Sequence, residues 1–204
     1  MISPLNVLGM HPTDPTDGIK PARAPKSDGF QTWGEDEIAA FRKQHAVGTR
    51  ARLALELLLN TAQRRSDIVR MGRQHVKDGV LTVRQKKTGT TLKIPVHADL
   101  KTALDAMPSN HMTFLTTSSG KPFTSAGFGN LFRDWCNEAG LEGLSSHGLR
   151  KAACRRLAEA GATEKQIAAI SGHKSLNEVA RYTRAADQER LARDAMRKLV
   201  EDAG

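Results

Sequence analysis

The sequence predicts a mainly α-helical domain with one small antiparallel β-sheet, an α+β fold. Apolar residues recur at helical spacing over most of the chain after residue 32. A period of two appears only over residues 80–84 and 91–96, which flank a turn containing Gly89. These two segments therefore predict a β-hairpin within a helical protein.

Helices are predicted on both sides of the hairpin. Organised structure begins near Thr32, upstream of three clustered acids, and Thr49 opens a second helix with its leucines on one face. A helical turn follows around residues 66–71. After the hairpin, helices are predicted over roughly 97–107, 125–139, 147–160, 163–171, 175–183 and 185–202, with Gly140, Gly161 and Gly172 near helix ends.

The first 30 residues have the composition of a linker. Five of the eight prolines lie there, without a helical period. We therefore predict a linker over residues 1–30 and one folded domain over residues 31–204.

Two cysteines, Cys136 and Cys154, lack the spacing of a zinc site and are interpreted as small buried side chains.

The charge balance points to nucleic acid. Lys and Arg number 31 against 22 Asp and Glu, a formal net charge of +9. Basic surfaces bind DNA or RNA because they displace the counterions condensed on phosphates, although a solvated basic face without a partner gives the same composition. The sequence contains neither a secretion signal nor an apolar run of roughly 18 residues, so we expect a soluble cytoplasmic protein without a membrane partner.

Tyr182 is the only tyrosine, and it follows two histidine-containing segments. In a helix, His147 and Arg150 project from the same face and could grip one anion together. His173 lies nine residues before Tyr182. Taken singly, a lone tyrosine is usually a packing residue, and a histidine three residues before an arginine is usually a surface pair.

Five short segments carry a recognisable pattern: residues 61–68 (TAQRRSDI), 85–89 (QKKTG), 146–151 (SHGLRK), 167–175 (IAAISGHKS) and 180–183 (ARYT). In this order and spacing they resemble the signature of the tyrosine recombinase (phage integrase) family. The resemblance extends over about residues 30–202 and implies the catalytic-domain fold of these DNA breaking-rejoining enzymes.

The resemblance implies a role for each matching residue. Tyr182 matches the nucleophile, which attacks the scissile phosphorus and leaves a 3′-phosphotyrosine and a free 5′-hydroxyl. Arg64 and Arg150 match the arginine pair, whose guanidinium groups suit two non-bridging phosphate oxygens. The protein–DNA bond conserves the phosphoester, so no ATP, metal or other cofactor is implied.

Three further positions match residues that contact the phosphate or move protons. His147 matches a phosphate-contacting histidine that also helps to move the tyrosine proton, and His173 matches the residue, His or Trp, that buttresses the phosphate. Lys87 matches the general acid for the departing 5′-oxygen.

Neighbouring residues leave three choices open. Arg65 stands beside Arg64, but the spacing to Asp67 favours Arg64. Lys86 precedes Lys87, and the Lys-Thr-Gly order favours Lys87. Asp67 is assigned to orient a neighbouring catalytic group, with a plain surface acid as the alternative.

The implied function is site-specific DNA recombination, for integration or excision of mobile DNA. Family members normally carry an N-terminal core-binding domain, so residues 1–30 are expected to be the remnant of its exit. The alternative function is a truncated integrase that binds DNA or partner recombinases without completing recombination. Expected partners are double-stranded DNA and other protomers: a tetramer on DNA, a monomer without it.

An apolar stripe over residues 185–203 predicts protomer contact or packing on its own domain.

Overall fold

A computed structural model describes residues 30–107 and 111–201. The described chain is mainly helical with a small sheet, which confirms the predicted fold class. Its elements are α1 (Glu35–Gln44), α2 (Arg50–Thr61), α3 (Arg65–Ile68), a 3₁₀ turn (Arg73–His75), β1 (Val76–Lys77), β2 (Val80–Arg84), β3 (Thr91–Pro95), α4 (Ala98–Asp105), α5 (Ser125–Glu138), α6 (Ser146–Glu159), α7 (Glu164–Ser171) and α8 (Leu176–Glu201).

The sheet has three antiparallel strands in the order β1-β2-β3. The predicted hairpin is confirmed, with Val80 opposite Pro95 and Arg84 opposite Thr91. Strand β1 was not predicted from the sequence, because a two-residue strand is too short to show alternation. It pairs with β2 across a tight turn in which Asp78 and Gly79 both have positive φ, 50° and 73°.

Helix α2 lies at the centre of the core. It packs against α4, α5 and α6, so apolar residues are buried on nearly all of its faces. The few aromatic residues gather beside it, where Phe41 stacks on Phe132 with ring centroids 5.6 Å apart. Trp33 is fully buried in the same cluster, and its indole nitrogen donates to the carbonyl of Ser145 at 2.9 Å. This bond fixes the start of α6.

Helix α8 is continuous, so the predicted interruption between residues 183 and 185 is wrong. The segment from Leu176 to Glu201 contains neither glycine nor proline, and nothing in it breaks the backbone hydrogen bonding. Met196, in the predicted apolar stripe, is exposed. The side chains of Leu191, Ala195, Leu199 and Val200 lie outside the described set, as do residues 1–29. No helix within residues 30–107 and 111–201 is both long and apolar enough to cross a bilayer.

Candidate active site

All six residues predicted to be catalytic line one cleft of about 250 Å³. They reach it from five segments of the fold: the start of α3, the β2–β3 turn, α6, the residues after α7, and α8. The lining residues are Arg64, Lys87, His147, Arg150, Lys151, His173, Glu178, Arg181 and Tyr182. A larger cavity of about 360 Å³ lies between α2, β3 and α6, but its described lining is mainly apolar, with His97 and Arg156 as its only ionisable groups.

Arg64 and Arg150, two of the three arginines that line the cleft, have no carboxylate partner among the described residues. Arg150 is 4% exposed; its Nη1 donates to the carbonyl of Ala62 and its Nη2 contacts His173 Nε2 at 3.1 Å. Arg64 has its Nη1 buried without a hydrogen-bond partner in the described chain. Burial and the charge of Arg64 lower the pKa of Arg150 to about 10. Among the described residues neither arginine forms an ion pair, so the cleft holds buried positive charge that an anion would neutralise.

His173 is held as one neutral tautomer. Ser171 Oγ donates its only hydrogen to the carbonyl of Ile167 at 2.7 Å, so it must accept from His173 Nδ1, also at 2.7 Å. His173 Nε2 is then the acceptor for Arg150 Nη2. Burial, followed by the charge of Arg150, lowers the pKa of His173 to about 4, while Glu178 at 3.9 Å acts in the opposite direction. The imidazole is therefore neutral at pH 7.

His147 lies at the mouth of the cleft, with its ring 4.9 Å from that of Phe30. Partial burial and then the charges of Arg150 and Lys151 lower its pKa. A histidine that is neutral at pH 7 has a free nitrogen lone pair, so it can accept a proton.

Gly148, between His147 and Arg150, allows the chain before α1 to cross α6. A Cβ atom at this position would lie 2.1 Å from the carbonyl oxygen of Gln31, which is backbone and cannot swing away. Lys151 Nζ donates to the carbonyl of Phe30 at 2.6 Å and fastens the same crossing. The glycine therefore belongs to the packing of the site, not to its chemistry.

Tyr182 is half-buried on α8, and burial is the main cause that raises its pKa. The side chain is thus a neutral phenol at pH 7. To act as a nucleophile it must lose its proton to a nearby base.

Lys87, and not Lys86, lines the cleft. Both lie in the β2–β3 turn, and the backbone N–H of Lys86 donates to Asp67 Oδ1 at 2.8 Å. Asp67 is only 1% exposed, so the alternative of a surface acid is wrong. Arg65 is exposed and lies beside Gly129 and a neighbouring cavity, outside the main cleft.

The phage integrase family model matches residues 35–189. The chain belongs to the phage integrase family. This confirms the family that the five sequence segments predicted, the tyrosine recombinases, and their catalytic-domain fold.

Two curated relatives and two solved structures define what this integrase-family chain is similar to. It is 32% identical over 130 residues to the shufflon-specific DNA recombinase of Escherichia coli. The aligned region is 62% of this chain and 33% of that protein. It is 27% identical over 195 residues to the tyrosine recombinase XerC of Roseiflexus. The aligned region is 86% of this chain and 61% of that protein. The chain thus spans about a third and about three-fifths of these relatives.

The solved structures are both of lambda integrase. A dimer of its residues 75–356 on a COC′ core site is 28% identical, with a TM-score of 0.67, over 79% of this chain and 62% of that one. A tetramer on a Holliday junction is 30% identical, with a TM-score of 0.63, over 76% of this chain and 50% of that one.

Several residues of the site were not predicted from the sequence. Lys151 and Arg181 adjoin predicted residues and add positive charge to the cleft. Glu178 precedes Tyr182 by one helical turn, and this spacing could have placed it on the same face of α8. Gln63 and Gln85 are buried beneath the cleft, and no feature of the sequence marks a glutamine as buried.

Proposed function

We propose that this chain is a site-specific DNA recombinase that cleaves and rejoins DNA strands through a 3′-phosphotyrosine at Tyr182. The observation that carries the proposal is the convergence of a tyrosine, two histidines and a lysine in one cleft with Arg64 and Arg150, neither of which forms an ion pair with a described residue. A phosphodiester is the anion that uses all of these groups at once. Family membership and the similarity to lambda integrase support the same reaction.

In the proposed cleavage step, Tyr182 Oη attacks the scissile phosphorus. The P–O5′ bond breaks, the phosphate remains on Tyr182, and the strand leaves with a 5′-oxygen. His147 takes the phenolic proton, and Lys87 Nζ donates a proton to the departing oxygen. Rejoining reverses these transfers: a 5′-hydroxyl attacks the phosphotyrosine, and Tyr182 recovers its proton.

Arg64 and Arg150 are proposed to bind the non-bridging oxygens throughout. The free Nη1 of Arg64 supplies an unsatisfied donor for that purpose. Charge on these oxygens is stabilised best by donors that are already in place, because no solvent must reorganise during the reaction. Arginine and lysine here supply the positive charge that a metal supplies in other phosphoryl-transfer enzymes, so the reaction should need neither metal nor ATP.

The proposed partners are double-stranded DNA and further copies of the chain. The lambda integrase structures hold that protein as a dimer on a core site and as a tetramer on a Holliday junction. By analogy, four protomers of this chain would assemble on DNA and act in integration or excision of mobile DNA. The cytoplasm is the proposed location.

A second candidate is a protein that occupies DNA or partner recombinases without completing recombination. The observation in its favour is that the chain spans 33% and 61% of its two curated relatives. Covalent chemistry separates the two proposals, because binding alone leaves no protein–DNA bond.

The deciding experiment traps the covalent intermediate. A pool of nicked duplexes with a randomised core is incubated with the protein, so that cleavage next to the nick releases a short strand and prevents rejoining. Denaturing electrophoresis detects the adduct, and sequencing of its DNA gives the preferred duplex. We expect an adduct that survives denaturation; salt-sensitive binding without an adduct would favour the second candidate.

Tyr182→Phe is the matched control for this experiment. It should abolish the adduct and leave DNA affinity nearly unchanged, because one hydroxyl adds little to binding dominated by phosphate contacts. Binding of both proteins to the selected duplex is measured at several salt concentrations. An adduct formed by the Phe variant would place the nucleophile elsewhere.

A further inference from the structure

Two buried glutamines connect three segments that carry proposed catalytic residues. Gln63 immediately precedes Arg64 and is 0% exposed, while Gln85 lies two residues before Lys87 and is 1% exposed. The third segment is the end of α7, which leads into His173. The proposed cleavage chemistry uses neither glutamine.

The hydrogen bonds of the two amides cross all three segments. Gln85 Nε2 donates to Gln63 Oε1 at 2.7 Å and to the carbonyl of Ser171 at 2.9 Å. Gln63 Nε2 donates to the carbonyl of Thr61 at 2.9 Å and to that of Ile170 at 2.7 Å. Carbonyl oxygens only accept, so the orientation of both amides is fixed.

The network also reaches the turn that carries Lys87. Thr88 Oγ1 donates to Gln85 Oε1 at 2.7 Å, and the Gly89 N–H donates to the Gln85 carbonyl at 2.9 Å. Gln85 therefore binds the core with its amide nitrogen and the turn with its two oxygens. The bond from Lys86 to Asp67 holds the same turn from the other side.

Close contact at Gly172 shows how tightly the turn is seated. A Cβ atom there would lie 2.4 Å from Gln85 Nε2, and Gly172 has a φ of +70°. Both facts favour glycine, directly before His173. The Gln85 amide thus rests against the backbone that sets the position of His173.

We propose that Gln85, held by Gln63, is a positioning residue that fixes the Lys87 turn relative to Arg64 and His173. The inference rests on the proposed function, in which Lys87 is the general acid. Proton transfer depends on sub-ångström placement of the acid against the departing oxygen. The amide network fixes the end of β2, from which the turn projects, to the two segments that hold the phosphate.

Stability alone gives no reason for two buried amides. A buried amide must recover in hydrogen bonds what it loses in hydration, and leucine would fill a similar volume without that requirement. Hydrogen bonds are directional, so each amide fixes the position of one chain segment relative to another. A role in position thus explains their polarity better than a role in packing.

The test compares two leaving groups on one duplex. Single-turnover cleavage is measured on the duplex selected by the adduct experiment and on the same duplex with a 5′-bridging phosphorothiolate. Sulfur leaves without being protonated, so this substrate does not need the general acid. Gln85→Leu should slow cleavage of the ordinary duplex by about 30- to 100-fold and of the phosphorothiolate by less than about threefold.

Three further variants sharpen the result. Thr88→Val removes the hydrogen bond to Gln85 at a half-buried position without leaving a cavity. It therefore remains informative if Gln85→Leu fails to fold. It should slow cleavage of the ordinary duplex by about tenfold and leave cleavage of the phosphorothiolate nearly unchanged. Gln63→Leu combined with Gln85→Leu should cost little more than either alone, because the two amides act as a unit. Gln74→Leu is the control. Gln74 is an exposed glutamine that also donates to a main-chain carbonyl, that of Met112, but it lies away from the cleft. This variant should cleave both substrates at the wild-type rate.

Each outcome decides a separate point. Equal slowing on both substrates, or no slowing, would overturn the positioning role while leaving the proposed function intact. Absence of an adduct from the wild-type protein would overturn the proposed function itself. Hydrogen exchange at the amides of Lys86 and Gly89 then still tests the network: Thr88→Val should accelerate it, and unchanged exchange would refute the attachment of the turn.

Discussion

Lowering the pH from 7 to 5 should destabilise the fold through His173, whose imidazole is partly buried and neutral beside Arg150. Its pKa in the folded protein is about 4, against an ordinary value of 6.5. Above pH 6.5 neither the folded nor the unfolded chain binds a proton here. Between pH 6.5 and 4 only the unfolded chain does, so the free energy of unfolding falls as the pH falls through this window.

The size of the effect follows from the two pKa values. The full difference corresponds to about 3.4 kcal/mol below pH 4, of which about 2 kcal/mol is lost by pH 5. For a domain of this size, 2 kcal/mol corresponds to a fall in melting temperature of roughly 4–8 °C. His147 has its pKa lowered too, so a variant is needed to isolate the contribution of His173.

His173→Gln provides that isolation because glutamine does not titrate. Urea unfolding at pH 7 should show the variant less stable than wild type by about 1 kcal/mol, since hydrogen bonds to Arg150 and Ser171 are disturbed. At pH 5 the order should reverse, with the variant more stable by about 1 kcal/mol. The same measurements on His147→Gln separate the second histidine. A difference between wild type and His173→Gln that is equal at both pH values would refute the assignment of a neutral imidazole at His173.

Three other predictions follow from the site and from α8. Lys87→Ala should be largely rescued by a 5′-bridging phosphorothiolate, whereas Lys86→Ala should need no rescue; the reverse pattern would shift the acid by one residue. Cleavage should proceed in excess EDTA, because the arginines and Lys87 supply the charge, and strict dependence on Mg²⁺ would contradict the mechanism. Deletion of residues 188–204, which keeps the core-packed Ala186 in place, should leave the melting temperature unchanged and remove higher-order complexes on DNA, as measured by scanning calorimetry and native electrophoresis. A lower melting temperature of the monomer would instead mean that the helix packs on its own domain.

Resemblance to the tyrosine recombinase family predicted six of the nine residues that line the cleft, and phosphoryl transfer limits the chemical type of the residues at those six positions. Few side chains other than arginine bind two phosphate oxygens at once, and a phosphotyrosine requires a tyrosine. The short segments that carry Arg64, Arg150 and Tyr182 were therefore recognisable in order. The hairpin was predictable for a different reason, since Leu81 and Val83 alternate with exposed residues.

The errors came from features that short-range patterns do not encode. Strand β1 has only two residues, and its pairing depends on the turn at Asp78 and Gly79. The predicted interruption of α8 falls at Arg184, where the backbone remains helical. In both cases the outcome depends on backbone geometry and not on hydrophobic alternation.

The residues that hold the catalytic groups were the hardest to find, and the reason is physical. A group that touches the phosphate is limited by chemistry, so its residue type is informative by itself. A group that positions another needs only a donor or acceptor at the right point, and several residue types provide one. Asp67 was found because it lies three residues after Arg64 in a recognisable segment, although its partner, the Lys86 N–H, could not be predicted. Gln85 lies just as close to Lys87, yet glutamine is usually exposed, so only its contacts with Gln63 and Ser171 give it a role.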